Sequence, residues 1–222
     1  MILVFTFVNT FFMYTEQELL SKIKELEIEL HRIKKQKRYG LVWEDKPEDV
    51  VERCKNELPI LTEDYSKRVI DWWDDLTHIL IEWDNYHALS VLTYTHEKKV
   101  DAIYIDPPYN TGNKDFIYND SFVDKEDGYR HSKWLSFISR RLELAHKLLK
   151  QSGVIFISID DNEHTQLKLL CDSIFWEKQF ITNLIVQLNP RWRTLDKHFA
   201  KTHEYILVYT KWYDDANIVQ IE

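Results

Sequence analysis

VDAIYIDPPYNTG, residues 100–112, reads as a buried β-strand running into a stiff elbow. Val100 to Ile105 supply the apolar, β-branched and aromatic residues that favour a strand. Pro107 and Pro108 then fix two φ angles and remove two backbone donors. The loop that follows is rigid, and the Asp106 carboxylate and Pro107 carbonyl face outward as acceptors. Tyr109 adds a planar ring two residues beyond Pro107. In an open α/β sheet, ligands bind outside the carboxyl ends of strands. Two acceptors beside a stacking ring suit an exocyclic amino group on a flat base. The plainer alternative for these four residues is a stiff turn.

Outward from this elbow, strands alternate with helices. Ile79-Leu80-Ile81 reads as a short apolar strand and Asn85–Thr95 as a helix. Arg130–Gln151 is amphipathic, with Trp134, Phe137, Ile138, Leu142, Ala145, Leu148 and Leu149 on one face and Gly153 as its C-terminal cap. VIFISI (154–159) is a second buried strand, followed by a helix over 162–175, and further strands are expected at 181–188 and 204–209. This pattern predicts an α/β fold: a mostly parallel sheet with helices on both faces.

Upstream, residues 15–38 form a helical arm. Leu19, Ile23, Leu26, Leu30 and Ile33 recur at spacings of four and three, a seam fit either for packing on its own domain or for a short dimerising coiled coil. Residues 1–14 are apolar but too short to span a bilayer, and read as a non-native extension, an edge strand or a short anchor. Residues 39–78 read as an acidic helical linker without chemistry, and 79–222 as the sheet domain.

Composition narrows the class. The 222 residues are 44% hydrophobic and 30% charged, which excludes a disordered chain. A net charge of −8 excludes a globally basic, nucleic-acid-coating protein, so such a partner would have to meet a local patch. Residues 178–211 provide one, with six basic residues against Asp196 and Glu204. Arg191, Arg193, Lys197 and Lys201 are the candidate phosphate contacts, a solvated loop being the alternative. Cys54 and Cys171 fit free thiols of a reducing cytoplasm, and no spacing suggests a metal site.

Asp106 to Tyr109 resembles motif IV of the amino-group DNA methyltransferases. The runs IDPPYNTGNKDFIYND (105–120), HSKWLSF (131–137), GVIFISIDDNE (153–163) and HEYILVY (203–209) resemble the adenine-specific enzymes of the β-type motif order, above all the modification subunits of type III restriction systems. YGLVWEDKPEDVVERC (39–54) and IEWDNYHALSVL (81–92) extend the similarity. The resemblance implies a Rossmann-like, S-adenosylmethionine-dependent methyltransferase core. The target adenine would be flipped from double-stranded DNA, its amino group held by Asp106 and the Pro107 carbonyl, with Tyr109 stacked on the ring. Asp84, Asn85 and Asn110 would line the cofactor pocket, although Asp84 also suits a plain helix N-cap. Asp160-Asp161 suits a helix cap better than a site. A second copy of the chain and a restriction subunit are the implied protein partners, and no membrane is involved. A catalytically inactive fragment that only dimerises or binds DNA, and methylation of the cytosine amino group, remain open.

Two departures qualify the resemblance. The glycine-rich F-x-G-x-G segment of the cofactor site is absent, so the core is expected to be incomplete: the N-terminal portion of a longer enzyme, inactive alone. The chain also holds only 4 glycines but 8 tryptophans, and Trp83, Trp176 and Trp192 stand where the family pattern has glycine. A gene reading UGA as glycine, translated as though UGA meant tryptophan, accounts for both numbers.

Overall fold

The computed structural model describes residues 23–24, 41–68, 77–188, 198–199, 201–216 and 218. The chain divides into two compact units, Met1–Gly40 and Leu41–Glu222, and the account below concerns the second. The arm expected over 15–38 lies outside the described residues except for residues 23 and 24, which are helical.

The second unit opens with α1 (Asp49–Cys54) and α2 (Asn85–His96), followed by β1 (Val100–Ile105). A small hairpin of β2 (Ile117–Tyr118) and β3 (Ser121–Phe122) precedes α3 (Arg130–Leu148), which leads directly into β4 (Leu149–Ile159). The chain closes with α4 (His164–Cys171), β5 (Phe180–Gln187) and β6 (His203–Thr210). The four long strands form one α/β sheet in the order β1-β4-β6-β5. β1 pairs with β4 in parallel, Ile103 opposite Ile155 and Ile105 opposite Ile157, so the Asp106 elbow emerges beside the carboxyl end of β4.

The core forms where the apolar stripe of α3 meets one face of this sheet. Trp134, Ile138, Leu142 and Ala145 are buried against Ile155, Ile157 and Ile159 of β4, with Leu167, Leu170 and Phe175 closing the cluster. This is the face the helical spacing predicts. Residues 41–48, placed by sequence in an acidic linker, instead strap across the solvent side of α3. Arg141, 4% exposed, forms a buried ion pair with Glu48 (2.7 Å), and Arg140 donates to Asp45 (3.0 Å) and the Lys46 carbonyl (2.9 Å). The β2–β3 hairpin turns through Asn119 and Asp120, both at positive φ as a two-residue turn of primed type requires. Asn119 then ties the hairpin to the strap through Pro47 and Asp49.

Several expectations are corrected. The sheet is mixed rather than mostly parallel, because β6 inserts antiparallel between β4 and β5. Among the described residues β1 has β4 as its one neighbour and is not buried, with Tyr104 64% exposed. Ile79–Ile81 forms no strand, and Leu80 is 94% exposed. Three apolar residues without a neighbouring ladder have no partner for their backbone groups. The helix expected to reach Gln151 ends at Leu148, and Gly153 lies inside β4 rather than capping. A Cβ on Gly153 would come within 3.0 Å of the Val100 carbonyl, at the register shift between β1 and β4. This glycine serves a close backbone approach. The helix expected over 162–175 is α-helical only to Cys171 and continues as one wide turn of π-type over Asp172–Trp176.

That turn ends at Trp176, whose φ of 70° and ψ of 140° belong to a region suited to glycine, while 58% of the residue is exposed. The backbone here agrees with the glycine reading of the sequence. Trp83, in a bend before α2, does not have positive φ and packs edge-on against His87 at 5.5 Å. Trp192 lies outside the described residues.

Candidate active site

The elbow after β1 is the candidate site, and each of its residues has a distinct setting. Asp106 is exposed, Pro107 buried, and Pro108 and Tyr109 half-buried. The indole Nε1 of Trp134 on α3 donates to the Pro108 carbonyl at 2.6 Å. Among the described residues nothing donates to the Pro107 carbonyl, so it remains an acceptor beside Asp106. The Tyr109 hydroxyl donates to Glu204 Oε2 on β6 at 3.0 Å, which tethers the far end of the ring. Burial, then the acceptor carboxylates of Glu204 and Asp106, push the Tyr109 phenol well above its ordinary value, so it stays protonated and donating.

Asn110 closes the elbow at φ 57°, a left-handed conformation that Asn tolerates better than most residues. The residue is fully buried. Its Nδ2 donates to Glu163 Oε1 at 2.5 Å and lies 3.3 Å from the Arg130 carbonyl, while its Oδ1 has no partner. The side chain therefore points behind the loop rather than out of it. Next, Thr111 N–H donates to Asp115 at 2.9 Å. Gly112, at φ 78°, packs so closely on Lys125 that a Cβ would meet its backbone at 2.7 Å.

Asp84 is the N-cap of α2, accepting from Tyr86 N–H at 2.8 Å through Oδ1. Asn85 Oδ1 accepts from Arg141 Nε at 2.5 Å. The cap reading of Asp84 therefore holds, and its second carboxylate oxygen is left over for a ligand. The exposed carboxylates of Asp84 and Asp106 suit a group bearing a sulfonium and an ammonium, as S-adenosylmethionine does, whereas Asn110, expected in the same pocket, is fully buried behind the loop and faces Glu163 instead.

Asp160 shapes the entrance of α4 by accepting from Asn162 N–H at 2.8 Å, and Asp161 pairs with Lys201 at 2.9 Å and with the Tyr205 hydroxyl. Of the four candidate phosphate contacts only Lys201 is among the described residues; Arg191, Arg193 and Lys197 lie outside them. A pocket of about 500 Å³ lined by Lys98, Lys150 and Lys211 lies at the opposite end of β1 and β4, away from the elbow. Among the described residues no cluster of His, Cys, Asp or Glu could hold a metal ion. No described helix is long and apolar enough to cross a membrane. Sequence reading named the elbow but not Trp134, Glu163 or Glu204 as its supports. The runs HSKWLSF, GVIFISIDDNE and HEYILVY contained them without assigning them.

The elbow thus sets an exposed carboxylate and a tethered aromatic ring at the carboxyl end of a strand. Residues 100–221 match the family described as DNA methylase, and the chain belongs to that family. It is 35% identical to the type III restriction-modification enzyme EcoPI Mod subunit of Escherichia phage P1, over 94% of this chain and 35% of the relative. The EcoP15I Mod subunit of Escherichia coli is likewise 35% identical, over 89% and 33%. The type II methyltransferase M.KpnI of Klebsiella pneumoniae is 46% identical over 58% and 31%. The chain thus spans about a third of the length of the curated relatives it matches. A solved structure of M1.HpyAVI with SAM shares 19% identity over 64% of this chain and 57% of that one, at a TM-score of 0.40.

Proposed function

We propose that this chain is the base-gripping part of an enzyme that methylates the N6 amino group of adenine in DNA, within a restriction–modification system. The observation that carries the reading is the elbow itself. Asp106 presents an exposed carboxylate and the Pro107 carbonyl has no donor among the described residues, while Trp134 holds the Pro108 carbonyl, Glu204 the Tyr109 hydroxyl and Glu163 the Asn110 amide nitrogen. Relatives named as type III Mod subunits and a type II methyltransferase support the reaction class.

The amino nitrogen of adenine is a poor nucleophile because its lone pair is delocalised into the ring. Hydrogen bonds from its two protons to Asp106 and the Pro107 carbonyl localise that pair and aim it. Tyr109, held by Glu204, stacks on the extruded base, and stacking on an aromatic side chain is worth about 1–3 kcal/mol per base. S-adenosylmethionine, when bound, supplies the electrophilic methyl group, and Asp84 and Asp106 are the exposed residues here that would face it. The chemistry is positioning and electrostatics on a preorganised loop. The partners in this reading are duplex DNA with a flipped adenine, a restriction subunit and a second copy of the chain. Arg191, Arg193, Lys197 and Lys201 contact phosphate.

The test is methyl transfer from labelled cofactor to duplex DNA by the full-length enzyme and by its Asp106→Ala variant, with mass analysis of the nucleosides. N6-methyladenine formed by the wild type, and lost in Asp106→Ala while DNA binding persists, is the expected result. N4-methylcytosine as the product, or undiminished turnover by Asp106→Ala, would refute it.

A further inference from the structure

A buried polar cluster sits directly behind the elbow, and the proposed chemistry does not use it. Glu163, in the turn between β4 and α4, is fully buried. Its Oε1 accepts from Asn110 Nδ2 at 2.5 Å and lies 2.6 Å from His131 Nδ1 on α3. Arg130 Nε donates to the other ring nitrogen, His131 Nε2, at 3.2 Å. In this arrangement Nε2 is the acceptor, so His131 is a neutral ring that carries its proton on Nδ1 and donates to Glu163.

Three buried polar atoms of the same cluster have no partner: Glu163 Oε2, Asn110 Oδ1 and Arg130 Nη1. Burial pushes the Glu163 carboxyl up to about 8, against the pull of Asn110 and Arg130 and with Asp160 adding to the rise. Burial and the Arg130 charge push His131 down. A core selected for stability alone would hold an apolar side chain here, since unpartnered buried polar groups are costly. The cost is concentrated behind the one loop that carries the acceptors.

We propose that Glu163 is a positioning residue for methyl transfer: by gripping Asn110 from behind, with His131 as its second support, it fixes the orientation in which the elbow presents the Pro107 carbonyl and the Tyr109 ring. The inference rests on the reading of the elbow as the base-gripping element. Asn110 is held at positive φ by that grip and by the Arg130 carbonyl. Without it the peptide joining Tyr109 to Asn110 is free to turn, and the ring turns with it. Glu163→Gln places an amide oxygen where Oε1 accepts both bonds and adds no charge, so it reproduces the protonated acid. Glu163→Ala removes the grip.

Two readouts on the 222-residue chain test this. The first needs no ligand: the carbon-13 resonance of the Tyr109 ring, assigned with Tyr109→Phe, with the Tyr209 ring as control. The expected result is a shifted or exchange-broadened Tyr109 signal in Glu163→Ala and Asn110→Ala, an unmoved Tyr209 signal, and a wild-type-like spectrum in Glu163→Gln. Unchanged Tyr109 signals in both alanine variants would overturn the inference. The second readout is quenching of 2-aminopurine in a single-stranded oligonucleotide. Glu163→Ala should weaken binding about tenfold or more, as misplacing a catalytic loop does. Equal affinity in wild type and Glu163→Ala would also overturn the inference. Absence of any quenching that Tyr109→Ala removes would instead overturn the base-gripping reading, and the inference with it.

Discussion

Replacing Trp176 by glycine and, in parallel, by alanine separates backbone strain from side-chain packing. At φ 70° and ψ 140° any residue with a Cβ is strained, at a cost of about 1–3 kcal/mol. The indole returns little, because 58% of the residue is exposed and its described ring contact is an edge-on approach to Trp212 at 6.1 Å. Such a pair contributes about 0.5–1.5 kcal/mol. Both variants lose that contact, but only glycine relieves the strain. At an ordinary position alanine exceeds glycine by about 0.5–1 kcal/mol through the unfolded chain's entropy. Here the order should invert, with Trp176→Gly more stable than Trp176→Ala by about 1–2 kcal/mol and at least as stable as the wild type. In a unit of this size that separates melting temperatures by roughly 3–6 °C. Urea unfolding midpoints and calorimetry at pH 7 provide the measurement. Trp176→Ala equal to or above Trp176→Gly would refute the strain argument and, with it, the glycine reading of this position.

Arg141→Ala leaves the buried Glu48 carboxylate with only its 3.4 Å contact to Arg140 and should cost up to about 3 kcal/mol, read as a lowered urea midpoint. Glu163 gives a defined pH signature. Its folded-state value, about 8, lies above the 4.5 of the free side chain, so its contribution to stability is full below pH 4.5 and is lost as pH rises towards 8. The loss reaches up to about 5 kcal/mol. Glu163→Gln should flatten that slope in stability measured from pH 4.5 to 9, and an unaltered slope would show that another group causes it. Tyr109→Phe removes the hydroxyl bond to Glu204 but keeps the ring, so 2-aminopurine binding should fall less than about fivefold, whereas Tyr109→Ala should lose the stacking worth about 1–3 kcal/mol. Sequencing the gene should show UGA at codon 176, and UGG there would end the recoding explanation.

The readable parts of this protein are those whose signal is local. The apolar period of α3, the β-branched run of β4 and the strand-to-proline junction at Ile105–Asp106 each announce themselves within a few residues, and the structure has them at those places. Strand direction was not readable, because the insertion of β6 between β4 and β5 depends on pairing between distant segments. The exposure of β1 was not readable either, since an apolar strand looks the same in sequence whether it has one neighbour or two. The same holds for the supports of the elbow. Asn110 meets Glu163 across 53 positions and Tyr109 meets Glu204 across 95. Such pairs obey no helical or strand period, and only the fold brings them together.

The division of labour around the elbow follows from comparing two costs. Extruding a base from the duplex costs a few kcal/mol. Ordering a flexible loop around it would add about 1–2 kcal/mol for every residue fixed, so a floppy segment from Asp106 to Asn110 would at least double the barrier to a productive complex. In this chain the folded loop already carries that ordering. The two prolines set their own φ angles, Trp134 holds the Pro108 carbonyl, Glu204 holds the Tyr109 hydroxyl, and Glu163 holds Asn110. The front of the loop is left with two free acceptors and one ring face, and the back with every other tie. Variants on the front should therefore act on the chemical step, while variants on the back should act on how often the loop is competent. The two classes separate in kcat against affinity for a flipped-base analogue, and a back-side variant that lowered kcat with unchanged affinity would contradict this division.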